Sequence, residues 1–223
     1  MKLKIIKVIS AIFVCSTLSY VPTTLSFGLN DLTSGGKSGG AAADPDSFLK
    51  SANEARDLMQ NSLGYMTKAL LSKEKAAEFK AKQDAANAAT DPAEKEAKNS
   101  ELVKSQVAAV KETLSDKDFK GKIDAMDAKH KAYLGASAFN FALALLKDKA
   151  LADQSKGLIS SMSSNPANLL KVGKVKDAAS SLSSQISIAS DLSGKMPSVF
   201  SAVGVQAPAS LDAKPATQSD NPD

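Results

Sequence analysis

The chain has 223 residues, enough for one large domain or two small ones. It contains 36 Ala, 30 Ser and 27 Lys, but only one Arg, one His, one Cys and no Trp. Hydrophobic residues make up 43% of the sequence, so the composition favours a packed core over a disordered chain. Because Arg, His and Cys are so scarce, we predict that the protein has no metal site and no cofactor site.

Residues 1–26 have the pattern of a cleaved secretory signal peptide. Three lysines in the first seven residues precede an apolar stretch over 8–18, which is too short to span a bilayer. Small residues place the cleavage after Ser26 or, alternatively, after Ser19. We therefore predict export by the general secretory route to the periplasm or the exterior of a bacterial cell. A membrane anchor and a lipid on Cys15 are the less favoured alternatives.

Removal of this leader would nearly balance the charge of the chain. It lowers the 28 basic residues by three, to 25, against 24 acidic residues. Such a small excess predicts no nucleic-acid partner. The mature chain also has no cysteine, so we expect it to be held together by its core alone.

Helix signals dominate after a predicted flexible Gly/Ser linker over 27–46. Asp44-Pro45 predicts the start of a first helix, whose apolar stripe runs to Leu70 and whose helical propensity extends to about Ala89. Thr90-Asp91-Pro92 predicts a break and a second helix start. Because the sequence around 72–101 is highly polar, we expect this part to protrude as a helical hairpin.

Two uncharged stretches follow in the second half of the chain. Residues 119–145 carry apolar side chains at helical spacing, and 132–146 contains no charge, which predicts a central buried helix. Residues 172–196 form a coiled-coil-like seam of heptads that Pro197 ends. We expect this seam to face Phe141 and Leu145.

These elements predict an all-α protein, an elongated bundle of about four long antiparallel helices with the polar hairpin protruding. The bundle domain is predicted to cover 47–205. Residues 206–223 contain three prolines and no apolar periodicity, so they are predicted to form a disordered tail.

No motif in the sequence assigns a catalytic, cofactor-binding or metal-binding residue. Asp127 precedes His130 by three residues, but a carboxylate-bridged metal site would need a second such pair. We interpret His130 as a residue at the border of an apolar face, hydrogen-bonded to Asp127. Most acidic residues stand among lysines and are interpreted as solvated, and so is the basic patch at Lys171, Lys174 and Lys176.

The function predicted from these features is non-enzymatic. We expect an interaction or structural module of the cell envelope that meets an unidentified protein partner, while a membrane surface is less favoured. The alternative is a membrane-active protein that inserts its uncharged segment 132–146. An enzyme built from carboxylates or serines is the least favoured class.

Overall fold

The chain folds into helices joined by short connections. The computed structural model describes residues 44–164 and 169–217, of which 82% are helical, and these ranges contain no strand. The helices are α1 (Pro45–Leu70), α2 (Lys73–Ala88), α3 (Pro92–Leu114), α4 (Phe119–Asp124), α5 (Ala128–Ser163), α6 (Leu169–Ser193) and α7 (Met196–Val203). The predicted all-α class is confirmed. The predicted leader, and the linker up to residue 43, lie outside the described residues.

Two predicted helix starts are confirmed at Asp-Pro pairs. The Ser47 backbone N–H donates to Asp44 Oδ2 over 3.0 Å, and the Glu94 N–H donates to Asp91 Oδ1 over 2.8 Å. Each proline occupies the first turn of its helix, where its missing N–H costs no hydrogen bond.

The predicted continuous first helix is wrong, because it is divided at Leu71. The Ser72 hydroxyl accepts a hydrogen bond of 3.3 Å from the Lys75 N–H and thereby begins α2. This second helix packs against both α1 and α3. Its Phe79 is only 4% exposed, so α2 has a buried face that its polar sequence did not predict.

The predicted third helix is likewise divided. Ser115 ends α3, and the short α4 stops at Asp124. Asp127 then accepts a hydrogen bond of 2.8 Å from the His130 N–H and begins α5. The new helix start satisfies backbone donors that a continuous helix would have paired internally.

The central position of α5 agrees with the prediction for 132–146. This helix packs against α1, α6 and α7. Phe141 and Leu143 are completely buried, and most side chains between Tyr133 and Leu146 share that burial. Within 44–164 and 169–217, no helix combines the length and apolar content needed to cross a membrane.

The buried apolar residues form two separate clusters. The large cluster draws on α1 and α3–α7 and contains Met59, Leu63, Met66, Val103, Val107, Val110, Leu114, Phe119, Ile123, Leu134, Ala138, Phe141, Ala142, Ala144, Leu145, Ala189, Leu192, Met196, Val199 and Phe200. The small cluster draws on α1, α5 and α6 and contains Phe48, Ala52, Leu158, Met162, Val172, Val175 and Leu182.

Cluster membership corrects the predicted register of α6 on α5. Phe141 and Leu145 lie in the large cluster, whereas Val172, Val175 and Leu182 lie in the small one. The partners of Phe141 are therefore in the last part of the seam. The physical reason is that apolar spacing gives the buried stripe of each helix but not the position of one helix along the other, which depends on tertiary packing.

The segment after α7 is non-helical but has defined contacts. Gly204, with a φ of 71°, ends α7 in the left-handed conformation that glycine tolerates. Over 206–217, where disorder was predicted, Ala216 forms two hydrogen bonds with the Asn140 side chain: its N–H donates to Oδ1 over 2.7 Å and its carbonyl accepts from Nδ2 over 2.9 Å. Val205 lies against Gly135 of α5, where a Cβ atom would be only 2.8 Å from the valine methyl carbon. Residues 218–223 of the predicted tail lie outside the described part of the chain.

Candidate functional site

A layer of polar side chains lies between the two hydrophobic clusters. On α1, Arg56 stands between small-cluster and large-cluster residues, and on α5 and α6 the corresponding positions are Asp148 and Gln185. The polar layer, as we call it, consists of Arg56, Glu96, Asn99, Asp148, Ser181 and Gln185. It therefore brings four helices together through hydrogen-bonding groups where apolar side chains would otherwise meet.

Arg56, the only arginine in the sequence, ties three of these helices together. One guanidinium nitrogen donates to Glu96 Oε2 on α3 over 2.7 Å, and the other donates to Asn53 on α1. The second Glu96 oxygen accepts a hydrogen bond from the Ser181 hydroxyl of α6. Because the Arg56 side chain is 27% exposed, this pair is partly shielded from water, which strengthens it relative to a surface pair.

Asp148 is the most unusual member of the polar layer. It is 0% exposed, and neither of its carboxylate oxygens has a hydrogen-bond partner. Burial raises the pKa of Asp148 from 3.8 to about 7, although the positive charge of Arg56 acts in the opposite direction. The carboxyl group is consequently close to half-protonated at neutral pH.

The polar layer contains several oxygens without a donor. Besides Asp148, the buried Asn99 Oδ1 and Gln185 Oε1 have no hydrogen-bond partner. Two further buried amide atoms outside the layer, Gln60 Nε2 and Gln106 Oε1, share this state. Buried polar atoms in folded proteins normally have hydrogen-bond partners. A group of unpaired buried acceptors is therefore unusual and calls for an explanation.

A surface groove of about 560 Å³ lies between α1, α5 and the C-terminal segment. Its floor includes Leu58 of α1 and Leu151 of α5, and its rim includes Leu211 and Pro215 of the C-terminal segment. Leu211 is 40% exposed and is the exposed large hydrophobic residue among those described. These apolar side chains form a patch that can take up an apolar side chain of a partner. The rest of the lining is mostly polar or charged: Ser51, Glu54, Ala55, Asp57, Asn61, Lys147 and Ala150.

A smaller pocket of about 150 Å³ lies between α1, α2 and α3. Tyr65, Phe79 and Gln106 line it, and an adjacent Lys80–Asp84 ion pair of 2.7 Å closes one side. The Tyr65 ring also meets Tyr133 edge to face, with 5.1 Å between ring centroids. This pocket mixes amide, aromatic and charged groups without a reactive pair among them.

The geometry around His130 agrees with the sequence interpretation. His130 Nδ1 lies 2.9 Å from Asp127 Oδ2, and the side chain is 38% exposed at the start of α5. The hydrogen bonds from His130 hold the pKa of Asp127 below its usual value. Asp127 thus both caps the helix and orients the imidazole. The described residues contain no group of three or more acidic, histidine or cysteine side chains placed to hold a metal ion.

The charged surfaces singled out in the sequence form ordinary ion pairs. Lys171 of the predicted basic patch lies 2.6 Å from Asp46, and the bond between them raises the pKa of the lysine. Glu94 and Lys98 pair over 2.7 Å along one helix face. These exposed pairs are solvated and contribute little to stability.

Sequence reasoning missed the polar layer because Asp148 stands between Lys147 and Lys149. We grouped it with the surface acids, but neighbouring residues on a helix point about 100° apart. Asp148 follows Leu145 by three residues and Phe141 by seven, which places it on their buried stripe. That spacing was the available signal.

Comparisons with known proteins give no match: no protein-family profile, no curated protein and no solved structure is similar to this chain.

Proposed function

We propose that this protein is a non-enzymatic helical module of the bacterial cell envelope that binds a segment of a partner protein. The observation that carries the proposal is the groove beside Leu211, together with the way in which the chain holds its own C-terminal segment. The proposal includes export by the general secretory route, after which the protein is periplasmic or extracellular.

The Asn140–Ala216 pair supports peptide binding by this face. The buried Asn140 amide bonds both the N–H and the carbonyl of one backbone residue, which is how a peptide is held irrespective of its side chains. Pro208 of the same segment is buried, whereas Leu211 is left exposed at the groove rim. We infer that a partner segment lies alongside the chain's own segment and covers Leu211.

The helix arrangement that would present this groove is the finer part of the proposal. We infer that α1, α3, α5 and α6 are the four long helices of an antiparallel bundle. The shared clusters of α5 and α6 support this inference, since opposite ends of the two helices meet in each cluster. The α2 helix then flanks the bundle through the packing of Phe79 instead of standing away from it.

Binding is tested with a matched pair of surface variants. Leu211→Asp places a charge at the groove rim, whereas Ala108→Asp places the same charge at an exposed site on α3. The exported protein is cross-linked in intact cells, and its captured partners are compared. We expect a protein captured by the wild type and by Ala108→Asp to be lost from Leu211→Asp. Equal capture by both variants would contradict the groove as the binding face.

Export is tested by amino-terminal sequencing of the protein recovered outside the cytoplasm. We expect a mature chain that starts after Ser26 or Ser19. A chain recovered only with Met1 at its start would exclude the predicted leader.

Membrane activity remains the alternative proposal, but no described contact favours it. Insertion of 132–146 would have to expose Phe141, Leu143 and Leu145, which are at most 1% exposed in the folded chain. Leakage of dye from anionic liposomes at micromolar protein would support insertion, and retention of the dye would support the interaction module.

A further inference from the structure

The polar layer has features of a device that responds to protons. Asp148 has no exposed surface, and its two oxygens lack donors, so its ionised form receives no compensating hydrogen bond. The compensating charge that acts on Asp148 is Arg56, two of whose nitrogens already donate to Glu96 and Asn53. Asp148 and Glu96 therefore stand in competition for one guanidinium group.

The groups around Asp148 come from three helices. On α1, the charge of Arg56 acts on Asp148. On α3, Glu96 forms an ion pair with the same arginine. From α6 the layer contains Ser181 and Gln185, neither of which titrates. The remaining neighbours of α5 are α7, where Val203 lies close to Gly135, and the C-terminal segment, where Ala216 bonds Asn140. The charged residues of that segment, Asp212 and Lys214, are exposed. Within the described residues, Arg56 is thus the one charge that acts on Asp148.

We propose that the polar layer is a proton-operated latch in which Asp148 carries a proton while Arg56 binds Glu96, and in which loss of that proton draws Arg56 away from Glu96 and loosens α3 from α1. The protonated carboxyl supplies an O–H donor to a layer that has orphaned amide oxygens at Asn99 and Gln185. Its ionisation releases one proton to solvent and leaves a buried negative charge. The bond that breaks is the 2.7 Å pair between Arg56 and Glu96.

The position of the Arg56–Glu96 ion pair determines which part of α3 moves. Glu96 and Asn99 belong to the first two turns of α3, whereas the apolar contacts of α3 begin at Leu102 and continue to Leu114. Release of Arg56 removes the ion pair from the first turns only. The beginning of α3, and α2 with it, would loosen while the large cluster stays closed.

The direction of the pH effect follows from the raised pKa of Asp148. Its value is about 7 in the folded chain and 3.8 as the ordinary value. A raised pKa means that the stabilisation is fully present below about pH 4 and is lost progressively as the pH rises to about 7. Above that value the loss is complete and the stability no longer depends on this group.

The first experiment compares Asp148→Asn with Asp153→Asn, an exposed acid on the same helix. Unfolding is measured by chemical denaturation between pH 4 and pH 8. We expect the folding equilibrium constant of the wild type, relative to Asp148→Asn, to fall about three hundredfold between pH 4 and 7 and to level off by pH 8, since each pH unit well inside this window contributes about tenfold. The ratio for Asp153→Asn should stay flat. A ratio for Asp148→Asn that is equally flat would overturn the proposal.

The second experiment needs no variant that might fail to fold. The carboxyl carbon of Asp148 is followed by nuclear magnetic resonance in the wild-type protein. A titration midpoint near pH 7 supports the latch, whereas a midpoint near pH 4 overturns it.

The third experiment tests the movement itself. Hydrogen exchange is measured at pH 6 and pH 8 and corrected for the intrinsic rate. We expect amides at 95–100 to exchange about ninefold faster at pH 8, as the ionised fraction of Asp148 rises from about one tenth to nine tenths. Amides at 107–114 should not change. Uniform behaviour of the two segments would overturn the assigned movement, and none of these outcomes depends on the proposed binding groove.

Discussion

The two hydrophobic clusters both contain residues of the long helices α1, α5 and α6, but they differ in size and composition. Among the described residues, the large cluster gathers 20 buried side chains, including Phe119, Phe141 and Phe200. The small cluster gathers seven, and Phe48 is its only aromatic residue. One end of the molecule therefore has a deep core, whereas the other end has little more than a helix–helix seam. We infer that global stability is concentrated in the large cluster and that the small-cluster end opens first.

The largest effect should come from the middle of the large cluster. Phe141→Ala is expected to lower the free energy of unfolding by about 4 kcal/mol, because a fully buried ring is replaced by a cavity. Phe139, two residues away, only packs against the edge of the cluster, so Phe139→Ala is the matched control with a smaller loss. Chemical denaturation measures both. Equal losses would contradict the inferred concentration of stability.

A smaller and more local effect is expected in the small cluster. Leu182 is 2% exposed, so Leu182→Ala should cost about 2–3 kcal/mol. Hydrogen exchange should locate the loss at 158–164 and 171–182 and leave the amides around Phe141 protected. The exposed Ser184→Ala serves as the control. Loss of protection spread evenly over both clusters would show that they unfold as one unit.

The α2 helix provides an intermediate case that lies in neither cluster. Phe79 is 4% exposed and is contacted by the Lys82 ammonium 5.7 Å above its ring. We expect Phe79→Ala to cost about 2 kcal/mol, since its cavity lies beside an existing pocket. Denaturation of Phe79→Ala and of the exposed-site control Lys75→Ala gives the difference. A loss larger than that of Phe141→Ala would place the main core at α2.

The smallest effect should come from the C-terminal segment. Asn140→Ala removes two neutral hydrogen bonds across 76 residues of sequence and should cost about 1 kcal/mol. Its clearer consequence is local: the Ala216 amide, which donates to Asn140 in the wild type, should exchange its hydrogen with solvent faster. Asn87→Ala, at an exposed site on α2, should leave that exchange rate unchanged. If Asn140→Ala also left it unchanged, the contact with Ala216 would not hold the segment.

The sequence predicted the fold best where proline and capping residues act locally. Asp44-Pro45 and Asp91-Pro92 begin helices as expected, because a fixed φ and a side-chain acceptor need no tertiary partner. The caps at Ser72 and Asp127 were missed because each interrupts an otherwise helical pattern. Their effect depends on how the following helix packs, which the local pattern does not contain.

The candidate sites were less predictable than the helices. The burial of 132–146 could be inferred from its lack of charge, but the polar layer could not be read from composition. Arg56 and Asp148 are 92 positions apart, so their proximity depends on the α1–α5 packing. The groove depends in addition on the path of 205–217, which no periodic signal describes.

The close contact between Gly135 and Val205 makes the packing of the C-terminal segment sensitive to a substitution at position 135. A side chain as small as that of alanine would meet the valine at 2.8 Å, and Val203 lies only slightly farther away. The Val205 side chain would then have to shift, and Val205 is the first residue of the segment that lines the groove farther along the chain. A single methyl group at position 135 would thus disturb the packing of the C-terminal segment on α5 without altering the charge or the helical pattern.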